Sequence, residues 1–370
     1  MMKEAETLQQ FGKTQVIWRG RKLAYFAGCD YFRLARHPAV NQAAAQACRT
    51  VGLSVSASRR TTGNHVLYQT LERELAKFFR APAALLLPTG YLGDLAVGQA
   101  LAGQFTHALM DARSHGSLAT AARFLNCPLL SFPHRHPSGL AQVIQSCGRE
   151  SRVIVLTDGM FSHDGSVAPL QEYLAVLPAN GMLLVDDAHG AGVLGKTGKG
   201  TLEHAGVDRQ RIIQTITLSK AVGAYGGTVL ASRELRDRIV ATSNSFAGVT
   251  PMPLPLAAAA LKSLELLGAN PEWRAQLFAN ADGLKSALRA GGVPLPDAPG
   301  PIIPLPECTP AQAQALHRAL LAAEIYPSFI QYPGGPANGY FRFVISSAHT
   351  RAQLNALAEV LVKSVPRWKS

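Results

Sequence analysis

The chain has 370 residues, 47% of them hydrophobic and 7% aromatic, which suffices for a large core and for two lobes. Its formal net charge of +12 raises nucleic acid as a partner. The basic residues cluster only briefly, at Arg19, Arg21 and Lys22 and at Arg59 and Arg60, with no long basic run interleaved with aromatics, so a basic surface carrying a few anion-binding arginines is expected and no nucleic acid.

Taken in chain order, residues 1–10 are polar and carry acids, which argues against a signal peptide. Residues 25–26 read as an edge strand, and 40–49 and 67–79 as helices. From about residue 81 to 232 apolar runs alternate with helical patterns. Strands are expected at 84–88, 107–111, 129–132, 153–158, 182–187, 212–218 and 228–231. Helices are expected between them at 92–101, 118–125, 140–145 and 170–177. That alternation marks an α/β sheet with crossover helices, whose functional residues should lie at the carboxyl ends of strands. Helices follow at 254–267 and 272–290, then a different pattern: strand 302–305, helix 310–323, strands 325–330 and 340–345, helix 350–362. The expected organisation is an N-terminal arm (1–38), a large domain (39–260) and a small C-terminal α+β domain (261–370). Five cysteines (Cys29, Cys48, Cys127, Cys147, Cys308) lack CxxC spacing, so neither a metal site nor a disulfide framework is expected. With no apolar run long enough for a bilayer, a reduced cytoplasmic setting and no membrane partner are expected.

Two strand ends carry chemistry. Thr217-Leu218-Ser219-Lys220 follows the apolar run 212–216 and precedes Gly223, Gly226 and Gly227. Burial there disfavours an ammonium, and a neutral lysine can form a Schiff base with an aldehyde cofactor. Leu183-Leu184-Val185-Asp186-Asp187-Ala188-His189-Gly190 ends a second strand in a carboxylate, which pyridoxal phosphate (PLP) requires at its ring nitrogen. Together the two read as a PLP site.

With their order along the chain, these motifs resemble the α-oxoamine synthases, from about Phe26 to His349. The resemblance implies a fold-type I PLP-dependent transferase of the α/β class, with a large mostly parallel sheet sandwiched by helices plus the smaller α+β lobe. It implies that Lys220 is the Schiff-base lysine, that Thr217 bonds the cofactor phosphate, that Asp186 pairs with the pyridine nitrogen and that His189 meets the phenolic oxygen. Asp187 is then an outward neighbour with a structural part only. His115, in Asp111-Ala112-Arg113-Ser114-His115-Gly116-Ser117, is similar to the imidazole that stacks on the cofactor ring, although a Ser-His pair at a helix start is also a cap. Thr89-Gly90-Tyr91 resembles the turn that cradles the phosphate, where backbone donors open a helix.

In the segment 156–165, followed by Ala168-Pro169-Leu170, Ser162 matches the family residue near the phenolic oxygen. Arg342, in Tyr340-Phe341-Arg342-Phe343-Val344-Ile345-Ser346, matches the arginine whose fork grips the amino-acid carboxylate. Thr250 is implied to reach the phosphate of a neighbouring subunit and Arg21 to meet the acyl substrate. Departures from the family pattern are Cys29 for asparagine, Arg33 for glycine, Tyr68 for histidine, Asp158 for glutamate, and a 54–59 stretch without the glycine-rich run.

The implied reaction is a decarboxylative condensation of an amino acid with an acyl thioester, giving an α-amino ketone. L-Alanine with pimeloyl-CoA or a pimeloyl carrier protein, yielding 8-amino-7-oxononanoate for biotin biosynthesis, is the favoured pair. Condensations of the glycine C-acetyltransferase or serine palmitoyltransferase kind are siblings. An aminotransferase or an aldol-type lyase on the same fold is the rival of another class. A silent partner subunit is disfavoured by the presence of Lys220, Asp186 and His189. Family members share sites across a homodimer, so a homodimer is expected, with acyl-chain length set around Cys29, 54–62 and 332–339.

Overall fold

The computed structural model describes residues 7–331, 336 and 338–369, without the side chains of Arg367 and Lys369. Most of the loop 332–339, expected to bear on acyl length, therefore lies outside the described residues. The chain divides into two compact units. The larger comprises 37–161 and 167–271; the smaller comprises 1–36, 162–166 and 272–370.

In chain order the smaller unit begins with an antiparallel sheet of β1 (Gln9–Phe11), β2 (Gln15–Trp18) and β3 (Arg21–Ala24). Residues 25–26, expected as an edge strand, lie just beyond β3. Phe26 leaves the ladder to be buried against the His349 ring, with centroids 4.2 Å apart.

The larger unit opens with α1 (Pro38–Val51) and α2 (Val66–Phe78). Its sheet is built from β4 (Ala83–Leu87), β5 (His107–Asp111), β6 (Leu129–Phe132), β7 (Val153–Asp158), β8 (Met182–Asp186), β9 (Ile212–Thr217) and β10 (Gly227–Ala231). The strand order is β4-β10-β9-β8-β7-β5-β6. Pairing is parallel from β9 through β8, β7 and β5 to β6, and only β10 runs antiparallel, to β9 and to β4.

Crossovers carry α3 (Gly90–Ala100), α4 (Gly116–Ala122), α5 (Pro137–Ser146), α6 (Leu170–Val176) and α7 (Thr201–Ala205). After β10 come α8 (Arg233–Thr242), α9 (Asn244–Ala247) and α10 (Leu254–Ala269). The central strands read as unbroken apolar runs because both faces are covered. Ile154, Leu156 and Leu184 join one core cluster with Ala96, Val97 and Leu118 of α3 and α4. Val153, Val155, Leu183 and Val185 alternate onto the other face with Leu140 of α5 and Tyr173 of α6.

The rest of the smaller unit is α11 (Pro271–Ala290), β11 (Ile302–Pro304), α12 (Pro310–Ala322), β12 (Phe329–Ile330), β13 (Tyr340–Val344) and α13 (Arg351–Ser364), with a sheet ordered β11-β13-β12. Thr309 and Thr350 start α12 and α13 with reciprocal capping boxes to Gln312 and Gln353. The strand expected at 325–330 shrinks to Phe329–Ile330. Pro327 has no N–H for a ladder, and Ala24 bridges Ile325 instead. Among the described residues no helix is long and apolar enough to cross a membrane.

Candidate active site

The larger unit assembles its chemistry at the carboxyl ends of neighbouring parallel strands. β7 and β8 run in register, so Asp158 stands opposite Asp186, and Asp186 stands opposite Thr215 of β9. Side chains alternate along β8 and its exit. Asp186 is half-buried, whereas Asp187 is fully buried and does not face outward as expected. Asp187 accepts from the Thr201 backbone N–H (2.8 Å), the Thr201 hydroxyl (2.6 Å) and Gln214 Nε2 (2.6 Å). A Cβ at Gly159, Gly190 or Gly200 would come within 2.4 Å of its carboxylate, so those glycines let the chain wrap this anchor. Burial pushes the Asp187 carboxyl up to about 6, against the hydrogen bonds that lower it. Its part is structural.

Asp186 Oδ1 accepts from the Ala188 N–H at 3.0 Å, and Oδ2 accepts from the Ser117 hydroxyl at 3.4 Å. His189 is buried just beyond it. His115 is the N-cap of α4: its Nδ1 accepts from the Ser117 N–H and lies 2.7 Å from the Ser117 hydroxyl. Its own N–H donates to Asp158 Oδ1 at 2.8 Å, which ties the start of α4 to the end of β7. Burial and the Lys220 charge lower the His115 pKa against the pull of Asp186, favouring a neutral ring. Burial, then the Asp186 charge, raises Asp158 well above the usual carboxylate range, although His115 N–H and the Lys220 charge oppose it.

Lys220 is half-buried in a tight return between β9 and β10. Leu218 N–H donates to Gly226 O (2.9 Å) and Gly223 N–H to Lys220 O (2.9 Å). Gly223 (φ 63°) and Gly226 (φ 115°) take the left-handed conformations that this return demands.

Thr89 caps α3, its hydroxyl accepting from Leu92 N–H at 3.2 Å, so the N–H groups of Gly90 and Tyr91 open the helix. Thr217 lies against that start: a Cβ on Gly90 would be 3.1 Å from Thr217 Cβ. The Thr217 and Ser219 hydroxyls are 2.7 Å apart. The Tyr91 ring is exposed, with its hydroxyl 2.8 Å from that of Thr120.

The smaller unit holds other expected residues. Arg342 of β13 donates from Nη1 to Ser162 O at 2.8 Å, and its Nε is buried without a hydrogen-bond partner. Ser162 is buried. Arg21 is exposed and donates from Nη2 to Leu321 O at 2.7 Å. Thr250, in the larger unit, is exposed.

The aminotransferase class I and II family model matches residues 29–361. The 8-amino-7-oxononanoate synthase of Thioalkalivibrio sulfidiphilus is 35% identical, over 94% of this chain and 89% of its own. Among solved structures, the Sphingomonas wittichii serine palmitoyltransferase superposes with a TM-score of 0.91 at 28% identity, covering 96% of this chain and 90% of that one. A serine palmitoyltransferase from S. paucimobilis with bound PLP superposes with a TM-score of 0.91 at 26% identity, over 97% and 92% of the two chains. This chain belongs to the α-oxoamine synthases. It is a PLP-dependent acyltransferase of fold type I.

The donor set of this α-oxoamine synthase suits that cofactor. The start of α3 with Thr217 and Ser219 offers backbone N–H and hydroxyl donors to a phosphate. Asp186 offers a carboxylate to a pyridinium, His115 a ring held by its cap, and Lys220 an amine. The family departures also have structural reasons. Arg33 sits at φ 55°, the left-handed region that glycine occupies without strain, and is buried with its Nε unpartnered. Tyr68 is buried and its hydroxyl donates to Met252 O at 2.6 Å. One carboxyl escaped the reading of the sequence. Asp94 on α3 is 1% exposed, and its signal was a lone acid in the otherwise uncharged helix Gly90–Ala100.

Proposed function

We propose that this enzyme condenses L-alanine with a pimeloyl thioester, on CoA or a carrier protein, to give 8-amino-7-oxononanoate, carbon dioxide and the free thiol. The product would enter biotin synthesis. The observation that carries the reading is the placement of Asp158, Asp186 and Thr217 at adjacent strand ends beside the α3 start, with Lys220 in the following turn. The name borne by relatives 35% identical over most of the chain supports the choice of substrates.

When bound, PLP supplies an electron sink for negative charge at the amino-acid Cα. Gly90 and Tyr91 N–H groups with the Thr217 hydroxyl would hold its phosphate, and Thr250 of a second copy would complete that grip. Asp186 would pair with the pyridine nitrogen and hold a proton there. His189 and Ser162 would serve the cofactor's phenolic oxygen, and His115 would offer its ring. The Arg342 fork would take the amino-acid carboxylate, binding it bidentately and so limiting its orientation. The Lys220 amine would remove the Cα proton. The Cα would then bond to the thioester carbonyl carbon while the thiolate leaves and takes a proton from water. The original carboxyl would depart as carbon dioxide, and its electron pair left at Cα would take back the proton held on the Lys220 amine. Arg21 is assigned to the acyl substrate. The working form is a cytoplasmic homodimer.

A serine substrate with a long acyl thioester is the second reading, favoured by the likeness of the whole chain to the serine palmitoyltransferases. Thiol release should be followed with pimeloyl-, acetyl- and palmitoyl-CoA, each with L-alanine, glycine or L-serine. The proposal expects release with pimeloyl-CoA and L-alanine at least tenfold above the other pairs. Preference for palmitoyl-CoA with L-serine would replace it by the second reading.

A further inference from the structure

Behind Asp186 the fold buries a second carboxyl for which the reaction above has no use. Asp94 lies one turn into α3 and is 1% exposed. Its Oδ1 accepts from the Thr215 hydroxyl at 2.6 Å. Its Oδ2 is buried without a hydrogen-bond partner, and the Asp186 carboxylate and the Ser117 hydroxyl are neighbours of the Asp94 carboxyl. Ser117 has a single hydroxyl hydrogen, and His115 Nδ1 at 2.7 Å and Asp186 Oδ2 at 3.4 Å compete with Asp94 for it. An acceptor facing another acceptor in a dry interior is unstable, and one proton placed between them turns the repulsion into a strong hydrogen bond.

The surroundings decide which carboxyl holds that proton. Titratable neighbours of Asp94 are Asp186 on β8 and, beyond it, Asp158 on β7; α4 and β9 offer it the Ser117 and Thr215 hydroxyls. The cation Lys220 acts on Asp158 and His115, and His115 acts with Asp186 at the rim. Asp186 is the half-buried member and already accepts from the Ala188 N–H, whereas Asp94 Oδ2 is buried with no donor, so the shared proton belongs on Asp94. Burial and the Asp186 charge push the Asp94 carboxyl well above the usual carboxylate range.

We propose that Asp94 is a positioning residue, a neutral carboxylic acid whose Oδ2–H donates to Asp186 and holds that carboxylate anionic and aimed at the pyridine nitrogen. The target of Asp186 rests on the PLP reading given above; the proton on Asp94 does not, and it is present with or without cofactor. Asparagine in its place keeps both interactions, since the amide oxygen accepts from Thr215 and the amide N–H donates to Asp186. Alanine keeps neither.

The test compares wild type with D94N and D94A in the cofactor-free and PLP-loaded protein. A protonated carboxyl has an infrared carbonyl stretch above the carboxylate and amide bands. The wild-type minus D94N difference at pH 7 should show that band in both forms, while any Asp158 band cancels. PLP affinity should stay within about threefold in D94N and fall about tenfold or more in D94A, the tenfold step corresponding to ~1.4 kcal/mol. Absence of the band in the cofactor-free protein overturns the proposal. So does a D94N variant that loses PLP as severely as D94A. If the band is present but no variant, nor wild type, binds PLP, the proton stands and the cofactor reading fails instead.

Discussion

At the scale of single residues, Lys220 carries the heaviest assignment. Borohydride reduction of the PLP-loaded protein followed by peptide mapping should place the pyridoxyl group on Lys220, and Lys220→Ala should abolish both the label and the cofactor's visible absorbance. A label on another lysine refutes the assignment. Arg342→Lys exchanges a planar fork for a point charge, so KM for the amino acid should rise about tenfold while KM for the thioester stays put.

His349 makes a prediction about stability. Its Nδ1 accepts from Ser346 N–H at 2.9 Å and its Nε2–H donates to Tyr25 O at 3.1 Å, which together require the neutral ring. Burial first, then the Arg33 charge, lowers its pKa from 6.5 to about 3. The unfolded chain therefore binds the extra proton between these values, and stability is complete above about pH 6.5 and lost as pH falls toward 3. Urea midpoints between pH 4 and 7 should fall on acidification, and His349→Asn should flatten that slope. Asp187, pushed up to about 6, acts in the opposite sense because the folded state holds its proton, so stability from this group is lost as pH rises from about 4 to 6.

The positions of Lys220, Asp186 and Thr217 at or just past strand ends were legible in the sequence because apolar strands announce their own carboxyl ends. The inward turn of Asp187 was not, since two adjacent acids at a strand end look alike until the partners on Thr201 and Gln214 are known. Asp94 was hidden for the same reason: what makes it important comes from three other elements.

At the scale of elements, the start of α3 is fixed by the antiparallel pair β4–β10. A Cβ on Gly227 would lie 2.3 Å from Thr89 O, a backbone atom with no rotamer to relieve it. Gly227→Ala should cost about 1–3 kcal/mol in urea unfolding and weaken PLP binding by displacing the α3 N–H groups. A variant with unchanged stability and PLP affinity contradicts this packing account. The central strands were legible because each is a buried apolar run. By contrast, α8 was missed: its capping signal, Ser232 with Glu234 and Leu235 after it, precedes a polar helix of weak apolar periodicity. The N-terminal strands were missed because each is only three or four residues long.

At the scale of the whole molecule, the compact units are not contiguous in sequence. Residues 1–36 and 162–166 cluster with 272–370, an association that no linear reading of composition shifts can show. The reading of the chain as a fold-type I enzyme, in contrast, survived the departures at Cys29, Arg33 and Tyr68, none of which is a residue of the seven-stranded sheet or of α3. The proposed homodimer predicts sedimentation at twice the 39.4 kDa chain mass at micromolar concentration. A monomer that is fully active would remove Thr250 from the phosphate site.

The most direct measurement of the central claim supplies L-alanine labelled at its carboxyl carbon, together with pimeloyl-CoA, to the PLP-loaded enzyme and counts labelled carbon dioxide against free thiol. Condensation with decarboxylation predicts one of each per turnover, with neither formed when L-alanine or the thioester is withheld. Thiol release without labelled carbon dioxide, or carbon dioxide without thiol, contradicts it.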